Sequence, residues 1–162
     1  ILKKNNGHEQ MNKHPFISFY LFLIIGLIGI GEAQTSESFR SSSLDIRSGD
    51  RVHSFTIEIA ETTSQRSQGL QNRKVMASDH GMLFDFKKSV PVTMWMKNTS
   101  ISLDILFISK QGIIVNIARN TKPYSLGYIN AAGRVKGALE LLAGTTNRLN
   151  IKAGDTIIHP LF

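Results

Sequence analysis

The sequence predicts a mainly β fold: an antiparallel sandwich or barrel of about eight short strands with one or two short helices. Three observations predict it. Apolar and polar residues alternate in one segment after another, Gly-containing turns recur at short intervals between them, and only two brief stretches suit a helix. The composition is that of a globular chain, with 41% hydrophobic and 19% charged residues in a length of 162, far from the apolar-poor profile of a disordered tail. There is no cysteine, which excludes a disulfide scaffold, a thiolate nucleophile, an iron–sulfur cluster and a Cys-based zinc site.

A different pattern precedes the β segments. Residues 1–10 contain no Met and read as sequence upstream of the gene start. From Met11, Lys13 and His14 lead into the apolar run Phe16–Ile30, and Gly31 and Ala33 are small residues before a cut after Ala33. Residues 11–33 are therefore expected to be a signal peptide, which makes the protein exported, periplasmic or extracellular. The run is shorter than the roughly 20 residues that span a bilayer; an uncleaved anchor is the alternative, and the only membrane contact expected. Residues 34–43 hold five serines and no apolar periodicity, a flexible linker. Residues 44–162 then form one β domain.

Within that domain Leu44 and Ile46 alternate with polar neighbours, Ser48-Gly49-Asp50 turns the chain, and Phe55, Ile57 and Ile59 alternate with Ser54, Thr56 and Glu58. This predicts a hairpin with one buried face. Thr62 or Thr63 caps a short helix through about Arg73, weakened by Gly69. Met82, Phe84 and Phe86 share one face of a strand, and Val92, Met94 and Met96 share a face of the next. Leu103 to Ile108 is apolar on both faces apart from Asp104, and Lys110-Gln111-Gly112 turns it into Ile113, Val115 and Ile117, a central hairpin. Arg119 to Arg134 reads as the longest loop, where function is often carried. Val135 to Leu142 is a further strand, Gly144 to Leu149 one helical turn, and Thr156 to Leu161 a last strand.

Catalytic motifs are absent from the sequence. It has no Gly-rich phosphate loop, no Gly-x-Ser-x-Gly and no His-Glu-x-x-His, and Gly29-Ile30-Gly31 lies inside the signal segment. His53, His80 and His159 are isolated, so neither a metal nor another cofactor is expected. The formal net charge of +7 is dispersed, without the interleaved aromatics of a nucleic-acid groove. For an exported protein the expected partner is an envelope ligand or protein, not nucleic acid.

What remains is a polar and aromatic cluster: Arg73, His80, Trp95, Lys97, Asn98, Asp104 and Glu140. Asp104 and Glu140 each interrupt an apolar strand, where a carboxylate needs a cation or several donors. Arg73 and Lys97 are the candidate partners. Internal pairs of this kind explain the cluster structurally; a pocket with Trp95 as platform explains it functionally. Trp95 alternates with Met94 and Met96, so it faces away from them, either into a second packed layer or into solvent. The expected function is a non-catalytic module binding an envelope glycan or anionic head group through Trp95, Lys97, Asn98 and the long loop. The alternative is a small hydrolase or transferase using Asp104 and Glu140.

The series Ile57-Glu58-Ile59-Ala60, Gly69-Leu70 with Arg73, Gly81-Met82-Leu83-Phe84, Trp95-Met96-Lys97-Asn98-Thr99 and Leu103-Asp104-Ile105-Leu106-Phe107 closely resembles domain-of-unknown-function family 192. The likeness continues through Gly112-Ile113-Ile114, Leu139-Glu140-Leu141 and Gly154-Asp155. Gln71 stands where the family usually has Met, and Ser102 where it usually has Pro. The resemblance implies a compact, mostly β domain, often exported, with no agreed activity. The family's recurrent residues fall on Arg73, Met82, Trp95, Lys97, Asn98, Thr99, Asp104 and Glu140.

Overall fold

The structure, a computed structural model, describes residues 37–162. The expected signal segment and the linker before Glu37 lie outside the described residues. In chain order the elements are β1 (Arg40–Ser48), β2 (Arg51–Ala60), α1 (Thr63–Gln68), β3 (His80–Met94), β4 (Leu103–Ile108), β5 (Ile114–Ala118), β6 (Ile129–Leu142), α2 (Thr145–Arg148) and β7 (Thr156–Ile158).

The strands form one sheet in the order β5-β4-β6-β3-β2-β1-β7. Its two edges meet: Ile113 bridges Thr156, and the Ile157 N–H donates to the Gly112 carbonyl at 2.7 Å. The sheet is thereby curled into a half-barrel. Strand alternation then sends residues from all seven strands, including Leu44, Ile57, Leu83, Leu106, Ile114, Leu139 and Ile157, into one enclosed core. Each such side chain contributes about 1.5–3 kcal/mol by leaving water. The opposite face of β3, β6 and β4 carries a second apolar cluster around Met82, Phe84, Ile105, Phe107 and Ala138, covered by Leu70 and Met96 from the connecting segments.

The sheet is mixed, where an antiparallel one was expected. β2 and β3 are parallel, with Thr56 opposite His80 and Ala60 opposite Phe84, because the connection through α1 crosses over before the chain re-enters the sheet. The described residues form seven strands, against about eight expected, because the segments around Met82–Phe86 and Val92–Met94 are one strand of 15 residues. Its pairing with β6 shifts between Asp85 and Val90. There Lys87 takes φ 65° and donates its N–H to Asp85 Oδ1 at 2.8 Å, a bulge that bends the strand without ending it.

Three boundaries also move. β1 begins at Arg40, so Arg40–Ser43 of the expected linker is strand, held by its ladder to Ile59–Thr56 of β2. β6 begins at Ile129 and absorbs the end of the expected loop, leaving residues 119–128. The β4–β5 hairpin forms, but with β5 at the sheet's edge, and β7 stops at Ile158.

Helix α1 starts where its cap dictates. The Thr62 hydroxyl accepts the Gln65 N–H at 3.1 Å, and the Gln65 side chain accepts the Thr62 N–H at 3.0 Å, a reciprocal capping box. It ends at Gly69, with φ 48°. A Cβ on Gly69 would lie 3.0 Å from the Phe84 ring, so glycine both stops the helix and lets it settle onto β3.

Candidate functional site

The register of β2, β3, β6 and β4 sets Glu58, Met82, Glu140 and Ile105 side by side in one row on the outer face. The close approach of β3 and β6 there depends on Gly81, whose Cβ would stand 2.6 Å from the Glu140 carbonyl oxygen. Above this row, between the end of α1 and the end of β3, opens a cavity of about 160 Å³ with Glu140 in its wall. Leu70, Phe84, Phe86, Met94 and Trp95 supply its apolar surface, and Arg66 and Lys97 its basic groups.

Glu140 is 4% exposed. Among the described residues no donor bonds its carboxyl and no cation pairs with it. Burial in apolar surroundings disfavours the charged form and pushes the group up to about 8, so at neutral pH it is a protonated acid that both donates and accepts.

The rim is built around a turn. Met96 is fully buried and its sulfur accepts the Thr121 hydroxyl at 3.2 Å. The Thr99 N–H returns to the Met96 carbonyl at 3.1 Å, and the Tyr124 N–H donates to the Thr99 carbonyl at 3.0 Å. Asn98 takes φ 54°, a conformation that asparagine tolerates better than most residues, and its amide donates to Gln71 Oε1 at 3.1 Å. With the turn clamped on both sides, Trp95 remains 48% exposed and the Lys97 ammonium stands 5.4 Å from the centre of its ring, within cation–π range. Of the two sequence-level readings of Trp95, the solvent-facing one is correct, and its ring borders the cavity.

Thus Trp95, Lys97 and Glu140 come together, while Asn98 shapes the rim. Arg73 pairs with Glu58, at the end of the same row, and His80 with Asp79 at 2.8 Å. Asp104 does not join them. It lies opposite Leu141 in the ladder and so faces the other side of the sheet, where its carboxylate accepts the Asn120 N–H at 3.0 Å, the Thr146 N–H at 2.9 Å and the Thr146 hydroxyl at 2.7 Å. The expected pairing of Asp104 and Glu140 with Arg73 or Lys97 is therefore corrected: Asp104 is satisfied by backbone and hydroxyl donors, and Glu140 is left alone. Phe84, Phe86 and Leu70 escaped sequence reasoning as site residues because an apolar wall has the same pattern as a core. Arg66 escaped it because nothing local marks which face of α1 meets the sheet.

Ser102, at the usual Pro position, donates its hydroxyl to the Thr121 carbonyl at 2.7 Å, which holds by a hydrogen bond a turn that proline would hold by its ring. One Ser–His contact lies elsewhere. His159 Nε2 is 3.2 Å from the Ser42 hydroxyl, but Nδ1 accepts the Leu161 N–H at 3.3 Å. The proton therefore sits on Nε2, which donates to Ser42 and cannot act as its base. Burial, followed by the charge of Arg40, lowers the His159 pKa. No group of three or more His, Cys, Asp or Glu among the described residues is arranged to hold a metal, and no helix among them is long and apolar enough to cross a membrane.

Fold and site together define a small mixed-β domain with a pocket of mixed apolar and basic lining around one lone carboxyl. The sequence pattern of DUF192, described as "Uncharacterized ACR", matches residues 44–159, and the chain belongs to that family. Among solved structures it is similar to a candidate transcription regulator from Sinorhizobium meliloti 1021, with TM-score 0.77 and 42% identity over 79% of this chain and 100% of that one. It is also similar to a protein of unknown function from Novosphingobium aromaticivorans DSM 12444, with TM-score 0.72 and 30% identity over 78% of this chain and 94% of that one. No curated protein matches the chain.

Proposed function

We propose that this domain is a non-catalytic binding module that, after export, takes a glycan residue or anionic head group of the cell envelope into the pocket between α1 and the end of β3. The observation that carries the reading is the union of a half-exposed tryptophan and an unpartnered buried carboxyl around one cavity. Its volume of about 160 Å³ is close to that of an engineered cavity known to hold a single aromatic ring. An aromatic face beside a hydrogen-bonding group suits a sugar ring. The export half of the proposal rests on the composition of residues 11–33.

A hydrolase or transferase using both Asp104 and Glu140 gains no support from carboxylates on opposite faces of the sheet. Regulation through DNA, suggested by the description of the S. meliloti protein, needs an element that enters a groove. The described helices have six and four residues.

The test uses the protein's only tryptophan. Its emission is followed while envelope glycan fragments and anionic vesicles are added, with a saturable change expected for at least one of them. Silence across the panel, or sustained glycoside hydrolysis lost in Glu140→Gln, would overturn the reading. Mass spectrometry of the envelope fraction, with a mature N-terminus at Gln34 expected, tests the export half; a cytosolic chain intact from Met11 would refute it.

A further inference from the structure

The charges around the pocket are arranged in an unusual way. Two basic side chains line it, and neither is matched by an acid: among the described residues Arg66 and Lys97 take part in no ion pair. Arg66 spends its guanidinium on the carbonyls of Glu61 and Asp85, at 2.9 and 3.0 Å, and on the Thr63 hydroxyl at 3.3 Å. Its charge is held in place without being neutralised. Lys97 stands over Trp95 at 5.4 Å. The one acid in the lining, Glu140, pairs with neither, although all three border the same cavity.

The groups around Glu140 complete the picture. Its neighbours in the row are the uncharged Met82 of β3 and Ile105 of β4; the next residue along, Glu58 of β2, is taken by Arg73. Arg66 faces the cavity from α1 and Lys97 from the turn after β3. No histidine borders the cavity, and Glu140 is the one acid in its lining. A protonated carboxyl within an otherwise basic pocket repels no anion, and it offers that anion a donor.

We propose that the occupant is an acidic sugar, a ring bearing a carboxylate, which stacks on Trp95, turns its negative charge toward Lys97 and Arg66, and accepts a hydrogen bond from the Glu140 carboxyl. This rests on the pocket being a ligand site and specifies its ligand. The interaction is proton-linked. The sugar carboxylate is ionised throughout, and a complex that needs Glu140 protonated must weaken as the pH rises past the point where Glu140 gives up its proton. A neutral sugar gains or loses no ionic interaction when Glu140 ionises, and a cationic one is favoured by that ionisation, the opposite sign.

The test is a fluorescence titration of Trp95 with glucuronate, glucose and glucosamine at pH 6 and pH 9.5. Glucuronate is expected to bind more tightly than glucose at pH 6 by at least about fivefold, the upper range for one exposed ion pair, and to lose that preference at pH 9.5. Lys97→Ala, at an exposed position, should reduce the preference at pH 6. Glu140→Gln keeps a neutral donor of the same length, and in it the pH dependence of glucuronate binding should vanish. Thermal melts confirm that both variants are folded. Equal binding of glucose and glucuronate at pH 6, or a preference for glucosamine, would overturn the acidic-sugar assignment and leave the binding pocket standing. A pH dependence that persists in Glu140→Gln would overturn the role of that carboxyl. No response to any of the three sugars or to the wider panel would remove the pocket reading itself.

Discussion

Asp104 and Glu140 stand on neighbouring strands, each almost wholly buried, and their surroundings are opposite. Asp104 faces α2 and the segment after β5, where three donors converge on its oxygens. Arg119 closes the network by donating to the Thr146 hydroxyl at 3.1 Å and the Ile151 carbonyl at 3.0 Å. Glu140 faces a cavity of mixed apolar and basic lining and receives no donor from the described residues. Fully satisfied buried polar groups rigidify a fold, whereas the Glu140 carboxyl, on the cavity wall, keeps its hydrogen-bonding capacity free for an occupant. The difference between a structural and a candidate functional carboxyl therefore lies in the partners; burial is the same for both.

The largest effect expected from this contrast concerns Glu140 and pH. In the unfolded chain the group loses its proton near 4.5, while in the folded protein it holds the proton to about 8. Between those values the folded state binds more protons, so stability falls as pH rises and the loss is complete above about pH 8. Its full extent is on the order of 5 kcal/mol. Denaturant unfolding of the parent and of Glu140→Gln across pH 4 to 9 should show this slope in the parent and its absence in the variant. Equal slopes would place a cation or a donor at Glu140.

Asp104 sharpens the contrast from the other side. Asp104→Ala strands the two buried Thr146 donors and releases the Asn120 N–H, and should cost about 3 kcal/mol, by the penalty for leaving buried groups unpaired. A thermal melt unchanged from the parent would show that water replaces the carboxylate and that the network is not structural. Next in size is Gly81→Ala, whose methyl group would meet the Glu140 carbonyl oxygen at 2.6 Å. Separating β3 from β6 there should cost about 1–3 kcal/mol, read as a lower denaturant midpoint. The smallest effect is expected at the rim: Trp95→Ala removes a half-exposed ring and should change stability by no more than about 0.5 kcal/mol while abolishing the response to any pocket ligand in calorimetry. A large loss of stability in that variant would return Trp95 to the core.

Much of this arrangement was legible beforehand. The alternation in Leu44–Ile46 and Phe55–Ile59 marks the β1–β2 hairpin, and the Thr62-Thr63 pair marks the start of α1, because each signal is local. The parallel partnership of β2 and β3 was hidden because pairing depends on where the crossover delivers the chain. The unity of β3 was hidden by a bulge at Lys87, which interrupts the alternation without interrupting the strand. The first half of β6 was hidden because Ala132–Arg134 is exposed and so carries no apolar pattern. At the site, the lone positions of Asp104 and Glu140 among Leu and Ile announced burial. Their assignment to opposite faces required the register of β4 against β6, which neither strand's own sequence contains.

The most direct measurement is of the Glu140 carboxyl itself. Carboxyl carbon NMR on the protein labelled at glutamate, titrated from pH 3 to 10 and assigned by comparison with Glu140→Gln, reads that proton without the aid of any ligand. One glutamate, Glu140, is expected to show a midpoint near 8. A midpoint near 4.5 would mean that Glu140 is ionised and stabilised by groups it does not have here, and would contradict both the lone-carboxyl pocket and the ligand chemistry built on it.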